Sequence, residues 1–360
     1  MMQAKELLEK FSGVISISGY EYMAEKELRK IIADDFDGVF DEVYFDKFGG
    51  CHMIKKADAS VESPKKILLD AHLDQIGLVV TDILDGGFLH VKSLGGFDMN
   101  VLIASEFYVY TYNSENPFIF SSDNKIRAIA VSVPPHLKKS GDNLPQIEEL
   151  LLDTGYSKEE LQKIVKVGSP VSFKPEFTVL ENELVASTAF DDRVCGAIFM
   201  LAVKSLTKAP DVEVHVVMSV GEETSGLGAK TAAFAANPDF AVVFDVGFSR
   251  DPGVDAAVSV EIGKGTEVLY SSSTNIPLTK NIIKLAKDSD PKIPIQVTAS
   301  PGSTGTNAEV IQITGEGIPC VVISLPLKNM HGPNEICSLK DIEYSANLIK
   351  KIIESANDLV

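Results

Sequence analysis

Two adjacent glutamates follow an apolar run of the kind that forms a buried β-strand. The run covers residues 214–220, and Gly221 separates it from Glu222 and Glu223. One carboxylate of such a pair can bind a cation while the other, left free of the cation, takes a proton from water. This pair is therefore a candidate active centre.

Four further residues that can bind a metal stand in or just beyond apolar runs of the same kind. They are His72, Asp191, Asp245 and His331. In an open α/β sheet, ligands bind at the carboxyl ends of the strands, so residues from distant segments can meet there. The sequence therefore predicts one site to which several strands contribute.

The chemistry of this site follows from its residue types. Two histidines, two aspartates and one glutamate offer imidazole and carboxylate ligands, which suit Zn²⁺, Co²⁺ or Mn²⁺. No thiolate closes the set, so positions stay open for water and substrate. Two cations about 3.5–4 Å apart would acidify a bridging water, which still needs a base that is not itself a ligand.

Each of these residues alone has an ordinary structural explanation. A carboxylate after a strand is commonly a helix N-cap, His72 could be a hydrogen-bonded core histidine, and His331 could close a turn. Their joint occurrence favours a metal site. We expect His215, inside an alternating strand, to be structural. Four cysteines lack a metal-binding spacing and are expected to be reduced core residues: Cys51, Cys195, Cys320 and Cys337.

Five short motifs surround the candidate residues. They are AHLDQIG at 71–77, AFDDRVCG at 189–196, GEETSGLGA at 221–229, FDVG at 244–247 and NMHGPNE at 329–335. Their types and order resemble the glutamyl aminopeptidase / tetrahedral aminopeptidase family of dinuclear metallopeptidases, some members of which are labelled endoglucanases. The resemblance extends over nearly the whole chain, from about Leu7 to Ile353.

The resemblance implies a metal-binding role for five of the candidates. His72 and Asp245 would hold one ion, Glu223 and His331 the other, and Asp191 would bridge the two. The cofactor would be two divalent metal ions per subunit, Zn²⁺ or Co²⁺.

It also implies how the reaction is assisted. Glu222 would be the general base, and the carboxylate of Asp74 would orient the imidazole of His72. The Asp191–Asp192 peptide bond would be cis. The activity would be removal of N-terminal residues from short peptides.

Other functions stay open. A metal-dependent deacylase or deacetylase would use the same centre, and a glycosidase of the endoglucanase type would use paired carboxylates without metal. A non-catalytic scaffold is disfavoured because the ligand set and Glu222 are all present. Departures from the family pattern at Gln75, Asn307 and Lys328-Asn329 leave the residue preference open.

Composition excludes several classes of protein. With 45% hydrophobic and 23% charged residues the chain is globular, and its 51 acidic and 33 basic residues give a net charge of −18. Nucleic-acid and membrane partners are therefore not expected. No apolar run reaches the roughly 18–20 residues of a transmembrane helix, and residues 1–6 lack a signal-peptide core. We expect a cytoplasmic protein.

The order of predicted elements gives the organisation of the chain. Residues 1–77 and 180–360 alternate helical and strand patterns. Residues 78–179 change to short alternating strands with glycine turns, interrupted by helical stretches around 147–152 and 159–164. We expect an α/β catalytic domain, which by resemblance has a zinc-exopeptidase-like mixed sheet with helices on both faces. An all-β, barrel-like domain is inserted into it.

The insert also predicts assembly. Apolar residues at 97–103 look exposed, and such patches are usually covered by a partner. By resemblance the insert would make oligomer contacts and help to cover the active site. We expect a homo-oligomer, and the resemblance implies that it is built from dimers joined through the insert and forms a dodecameric tetrahedral shell that admits short or unfolded peptides.

Overall fold

The computed structural model describes residues 2–112, 119–133, 135–137 and 146–360. Residues 113–118, 134 and 138–145 of the predicted insert lie outside this part. The strands, in chain order, are β1 (Glu42–Phe45), β2 (Cys51–Lys55), β3 (Lys66–His72), β4 (Gly77–Ile83), β5 (Phe88–Leu94), β6 (Glu106–Tyr112), β7 (Phe120–Val131), β8 (Leu151–Asp153), β9 (Pro170–Phe173), β10 (Thr178–Val179), β11 (Leu184–Ser187), β12 (Glu213–Ser219), β13 (Phe240–Phe248), β14 (Thr266–Ser271), β15 (Ile295–Ser300), β16 (Cys320–Leu327) and β17 (Glu335–Ser338). The helices are α1 (Met2–Ser12), α2 (Glu25–Asp35), α3 (Met99–Leu102), α4 (Lys158–Leu161), α5 (Phe190–Lys204), α6 (Leu227–Ala236), α7 (Ile276–Asp288), α8 (Ala308–Ile311), α9 (Leu339–Glu354) and α10 (Ala356–Leu359).

An eight-stranded mixed sheet forms the centre of the α/β part, in the order β1-β2-β12-β3-β13-β16-β14-β15. β12, β3, β13 and β16 are parallel to one another. These four strands are apolar along most of their length and almost fully buried, as expected for parallel strands covered on both faces. β14 returns antiparallel to β16, and β15 runs parallel to β14.

Successive side chains of a strand point to opposite faces of the sheet, so these apolar strands present an apolar surface on each face. Helices cover both of these surfaces. On one face Ile67, Leu69 and Val242 belong to a core that includes residues of α1, α5 and α9. On the other face Leu68 and Val243 belong to a core that includes the small residues of α6 and α8. The mixed sheet, its two helical layers and the barrel described next confirm the predicted fold class.

A closed barrel is formed by β4-β5-β8-β7-β6-β9, which lie between Gly77 and Phe173. Alternate residues of these strands form a core of their own, which includes Val80, Val91 and Val171. The division of the chain at 78 and 179 into a catalytic and an inserted domain stays a proposal.

Two local predictions inside the insert were wrong. Most of the apolar segment 97–103 packs against the barrel core, because Leu102 is buried and Phe97, Met99 and Val101 are partly buried against it. Of the predicted helical stretch 147–152, only Ile147–Glu149 is a short 3₁₀ turn, and the residues that follow form β8.

The predictions for the Asp191–Asp192 bond, His215 and the cysteines agree with the structure. The peptide bond between Asp191 and Asp192 is cis. His215 is buried, and its Nε2 lies 2.7 Å from a carboxylate oxygen of Glu213. Within the described residues no helix combines the length and the apolar character needed to cross a bilayer. The cysteines are free and buried: Cys51, Cys195, Cys320 and Cys337.

Candidate metal centre

One edge of the main sheet collects the residues that the sequence singled out. This edge holds the carboxyl ends of the parallel strands β12, β3 and β13, and the connections that leave them meet there. The residues at this edge are His72 at the end of β3, Asp191 in the first turn of α5, Glu222 and Glu223 after β12, Asp245 in β13 and His331 after β16.

Asp191 connects the two histidines. Its Oδ1 lies 3.0 Å from Nε2 of His72, and its Oδ2 lies 3.4 Å from Nε2 of His331. The carboxylate therefore presents one oxygen to each imidazole, which is the arrangement that a bridging ligand needs.

Each histidine has a second carboxylate beside it. Nε2 of His72 lies 3.9 Å from Oδ1 of Asp245, and Nε2 of His331 lies 3.2 Å from Oε1 of Glu223. Oε2 of Glu222 lies 3.9 Å from Nε2 of His72. The residues thus form two groups that share Asp191.

Asp74 contacts His72 differently from the prediction. The backbone carbonyl of Asp74 lies 2.8 Å from Nδ1 of His72, whereas the nearest carboxylate oxygen lies 3.7 Å away. The carboxylate instead accepts the backbone N–H groups of Glu222 and Glu223, at 3.0 and 3.2 Å. Asp74 therefore fixes both the imidazole and the loop of the tandem glutamates.

Two carboxylates that the sequence analysis gave no role also belong to this group. Glu335 is buried and accepts the backbone N–H of His331 at 2.8 Å and that of Asp191 at 3.1 Å. Asp192 accepts the backbone N–H of His72 at 3.2 Å, and ligand atoms of His72, Asp192 and Asp245 lie within 4.8 Å of one another. Asp192 and Glu335 belong to the motifs at 189–196 and 329–335. Their role could not be predicted from these motifs, because the backbone N–H groups that they accept come from distant segments or depend on the turn geometry.

The crowding of acids changes their pKa values. Burial raises the pKa of Glu222 to about 8 and that of Asp245 to about 7, and the neighbouring carboxylates add to both shifts. Burial would also raise the pKa of Asp191, but hydrogen bonds with His331 and His72 outweigh it and hold this pKa well below its usual range. The group thus binds positive charge or protons strongly.

The donor set fits divalent cations. Four largely buried carboxylates share a small volume, which is unfavourable unless positive charge compensates them. Imidazole nitrogens and carboxylate oxygens bind Zn²⁺ at about 2.0–2.2 Å, so two ligand atoms on one ion lie about 3–4 Å apart. The corresponding atoms here are 3.0–3.9 Å apart.

A pocket of about 550 Å³ opens beside this group. From the barrel side, the loop after β5 approaches the same residues. A Cβ on Gly95 would lie 3.3 Å from Oε2 of Glu223, and one on Gly96 would lie 3.5 Å from Nδ1 of His331. These distances place the loop after β5 within van der Waals contact of the candidate metal centre.

Two of the departures from the family pattern, Asn307 and Gln75, lie behind the centre and do not line its pocket. The amide of Asn307 donates to Asp70 at 2.8 Å and to the hydroxyl of Ser219 at 3.0 Å. The Gln75 side chain accepts from the buried guanidinium of Arg193, which also donates to Ser16 at 2.9 Å. Both amides therefore support the strands and helix that carry the candidate ligands.

Comparisons with known proteins place the chain in a family. The family model for M42 glutamyl aminopeptidase matches residues 50–348. A lysyl aminopeptidase of Pyrococcus furiosus is 31% identical over 354 residues, which cover 97% of this chain and 96% of that protein. The TET aminopeptidase of a marine-sediment Thaumarchaeota archaeon is similar with a TM-score of 0.86 at 28% identity, over 99% of this chain and all of that one. The TET1 peptidase of Pyrococcus horikoshii, which can assemble into a tetrahedron or a large octahedral shell, has a TM-score of 0.80 at 26% identity, over 97% of this chain and 99% of that one.

Proposed function

This chain belongs to the M42 glutamyl aminopeptidase family, and we propose that it is a dinuclear metal-dependent aminopeptidase acting on short peptides. One observation carries the proposal. The buried carboxylate of Asp191 lies between the imidazoles of His72 and His331, with one oxygen toward each.

Two divalent cations, Zn²⁺ or Co²⁺, would be held in this site. We assign His72 and Asp245 to one ion, Glu223 and His331 to the other, and Asp191 to both. The contacts of Asp245 with His72 and of Glu223 with His331 support this assignment. Glu222 lies as close to His72 as Asp245 does, and the family resemblance assigns it the role of base. When bound, the cations would acidify a water molecule and polarise the scissile carbonyl.

Glu222 is assigned as the general base. It stands beside the proposed ligands without being one of them, and its raised pKa suits a group that accepts and returns a proton near neutral pH. Glu222 takes the proton of the attacking water and gives it to the leaving amine. Asp74 is a positioning residue, because its carboxylate holds the backbone of Glu222 and Glu223.

The assembly is proposed to be a homo-oligomer. The TET1 peptidase of Pyrococcus horikoshii can assemble into a tetrahedron or a large octahedral shell, and this chain exposes apolar side chains at Ile129 in β7 and at Val133 and Leu137 after it. Covering such side chains is a common reason for association. Light scattering of the intact chain at micromolar concentration should report an oligomer, and a strict monomer would contradict this proposal.

Hydrolysis of aminoacyl-p-nitroanilides after loading with Zn²⁺ or Co²⁺ tests the proposed activity. We expect release of nitroaniline from substrates with a free amino group, no release from their N-acetylated forms, and loss of activity with EDTA that added metal restores. Hydrolysis of a β-glucan that survives EDTA would instead support a glycosidase. Release of acetate from N-acetylated amino acids would support a deacetylase.

A further inference from the structure

A second acidic position lies on the floor of the pocket, away from the proposed metal ligands. Ser324 of β16 pairs with Asp245 of β13 on one side and with Glu267 of β14 on the other. Paired residues of neighbouring strands point to the same face of a sheet. Two strand spacings of about 4.8 Å therefore place Glu267 on the face of Asp245, with roughly 10 Å between their Cα atoms.

The carboxylate of Glu267 is buried but incompletely satisfied. The side chain is 8% exposed and lines the pocket. The Thr298 hydroxyl donates to Oε1. Among the described residues, none donates a hydrogen bond to Oε2, and this oxygen is not one of the fully buried side-chain atoms without a partner, so it keeps contact with the solvent of the pocket. A Cβ on Gly247 would lie 2.6 Å from this oxygen, so glycine there keeps the space beside it open.

Apolar residues beside the two acidic positions suit an aliphatic chain. Ser324 lies between Asp245 and Glu267 in the sheet, and Leu269 and Val322 form the next row on the same face. Both line the pocket, together with Val258 and Met330. Within the described part of the chain, no lysine or arginine lines it. An acidic substrate side chain would therefore meet a carboxylate and no compensating cation.

The proposed metal ions would compensate the charge of the carboxylates in the centre but not that of Glu267. In the proposed function, two divalent cations match four of the five carboxylates that line the pocket, those of Asp191, Glu222, Glu223 and Asp245. Glu267 is the fifth, and among the described residues it has no cationic partner. Burial raises the pKa of Glu267, and an adjacent ammonium would favour its ionised form. A lysine side chain, five single bonds long, spans roughly 6 Å, which is suited to cross from the centre to Glu267.

We propose that Glu267 is the specificity-determining residue of the substrate pocket, and that it selects peptides whose N-terminal residue is basic, lysine or arginine. The inference rests on the proposed aminopeptidase function, and it names the substrate class of the same site. The names of the relatives do not decide this point, because one is a lysyl aminopeptidase and the family model is described as glutamyl.

Binding of free amino acids to the metal-loaded protein tests the inference without catalysis. L-lysine and L-norleucine have the same aliphatic stem, and only lysine carries the side-chain ammonium. By calorimetry, lysine should bind at least about 10-fold more tightly to the unaltered protein, and Glu267→Gln should remove most of that difference. Equal or tighter binding of norleucine to the unaltered protein would overturn the inference, and so would an equal weakening of both ligands in the variant.

Kinetics with lysyl-, arginyl-, leucyl- and glutamyl-p-nitroanilide provides the second test. We expect the highest kcat/KM for the basic substrates, and a fall of at least about 10-fold in the lysyl-to-leucyl ratio in Glu267→Gln. Glu261→Gln removes an exposed carboxylate outside the pocket and should leave this ratio unchanged. A leucyl or glutamyl preference that Glu267→Gln does not alter overturns the inference alone. A protein inactive on every substrate overturns the proposed function, and the binding experiment then decides the inference by itself.

Discussion

The Asp74 carboxylate holds the loop of Glu222 and Glu223, and replacing Asp74 by asparagine removes one of its two hydrogen-bond acceptors. The side chain accepts two backbone N–H groups, at 3.0 and 3.2 Å. Asparagine keeps one acceptor oxygen and places an NH₂ donor where the second acceptor stood, so one backbone N–H faces a donor.

The size of the effect follows from that lost contact. A hydrogen bond to a charged group contributes about 1.5–3 kcal/mol. If the displaced loop raises the catalytic barrier by this amount, kcat falls about 10- to 150-fold, since each 1.36 kcal/mol is a factor of ten. Metal affinity should weaken as well, because the same loop carries the proposed ligand Glu223, so kcat is compared at saturating metal.

Asp341 offers a matched control. It is buried at the start of α9, and it also accepts two backbone N–H groups, from Gly263 at 2.5 Å and from Gly265 at 2.7 Å. Asp341→Asn should lower the melting temperature about as much as Asp74→Asn does, while its kcat stays within about twofold of the unaltered protein. An Asp74→Asn variant that loses stability but retains its kcat would refute the positioning role of Asp74.

Three further predictions concern the centre and its surroundings. Glu222→Gln should retain both metal ions and lower kcat at least ~10²-fold, the usual contribution of a positioned proton-transfer group; a nearly unaltered rate would remove Glu222 from the role of base. Asp191→Ala should lose both ions on dialysis, as measured by mass spectrometry, whereas His331→Ala should weaken mainly one; two ions retained in Asp191→Ala would exclude a bridge. Burial and the nearby Asp74 carboxylate raise the pKa of Glu21 from 4.5 to about 7. Between pH 4.5 and 7 the folded protein therefore keeps Glu21 protonated while the unfolded chain loses this proton, and the free energy of unfolding falls as the pH rises through this range. At pH 8 this amounts to about 3 kcal/mol, so Glu21→Gln should raise the melting temperature of the metal-free protein by roughly 4 °C at pH 8 and by much less at pH 5; equal shifts at both pH values would contradict the raised pKa.

The sequence predicted which residues meet at this edge of the sheet because strand ends carry a local pattern. His72 and Asp245 each stand in or at the end of an apolar run, and parallel strands bring such ends to one edge. The pattern of residues 78–179 likewise predicted short strands, and most of them form the barrel.

The roles of Glu267 and Glu335 and the burial of residues 97–103 could not be predicted from the sequence, because they depend on strand order and on partners distant along the chain. Glu267 is one acidic residue in an ordinary strand, and its place in the pocket depends on the pairing of β14 with β16. Glu335 acts through the backbone N–H groups of residues distant along the chain. Residues 97–103 looked exposed because their partners in the barrel core come from other strands.

The most direct test of the central claim is a crystal structure of the metal-loaded protein with anomalous data collected at the zinc edge. Two anomalous peaks should appear about 3.5–4 Å apart, with one carboxylate oxygen of Asp191 bound to each. One ion should also contact His72 and Asp245, and the other His331 and Glu223. No peak at this edge of the sheet, or a single ion that Asp191 does not contact, would contradict a dinuclear centre.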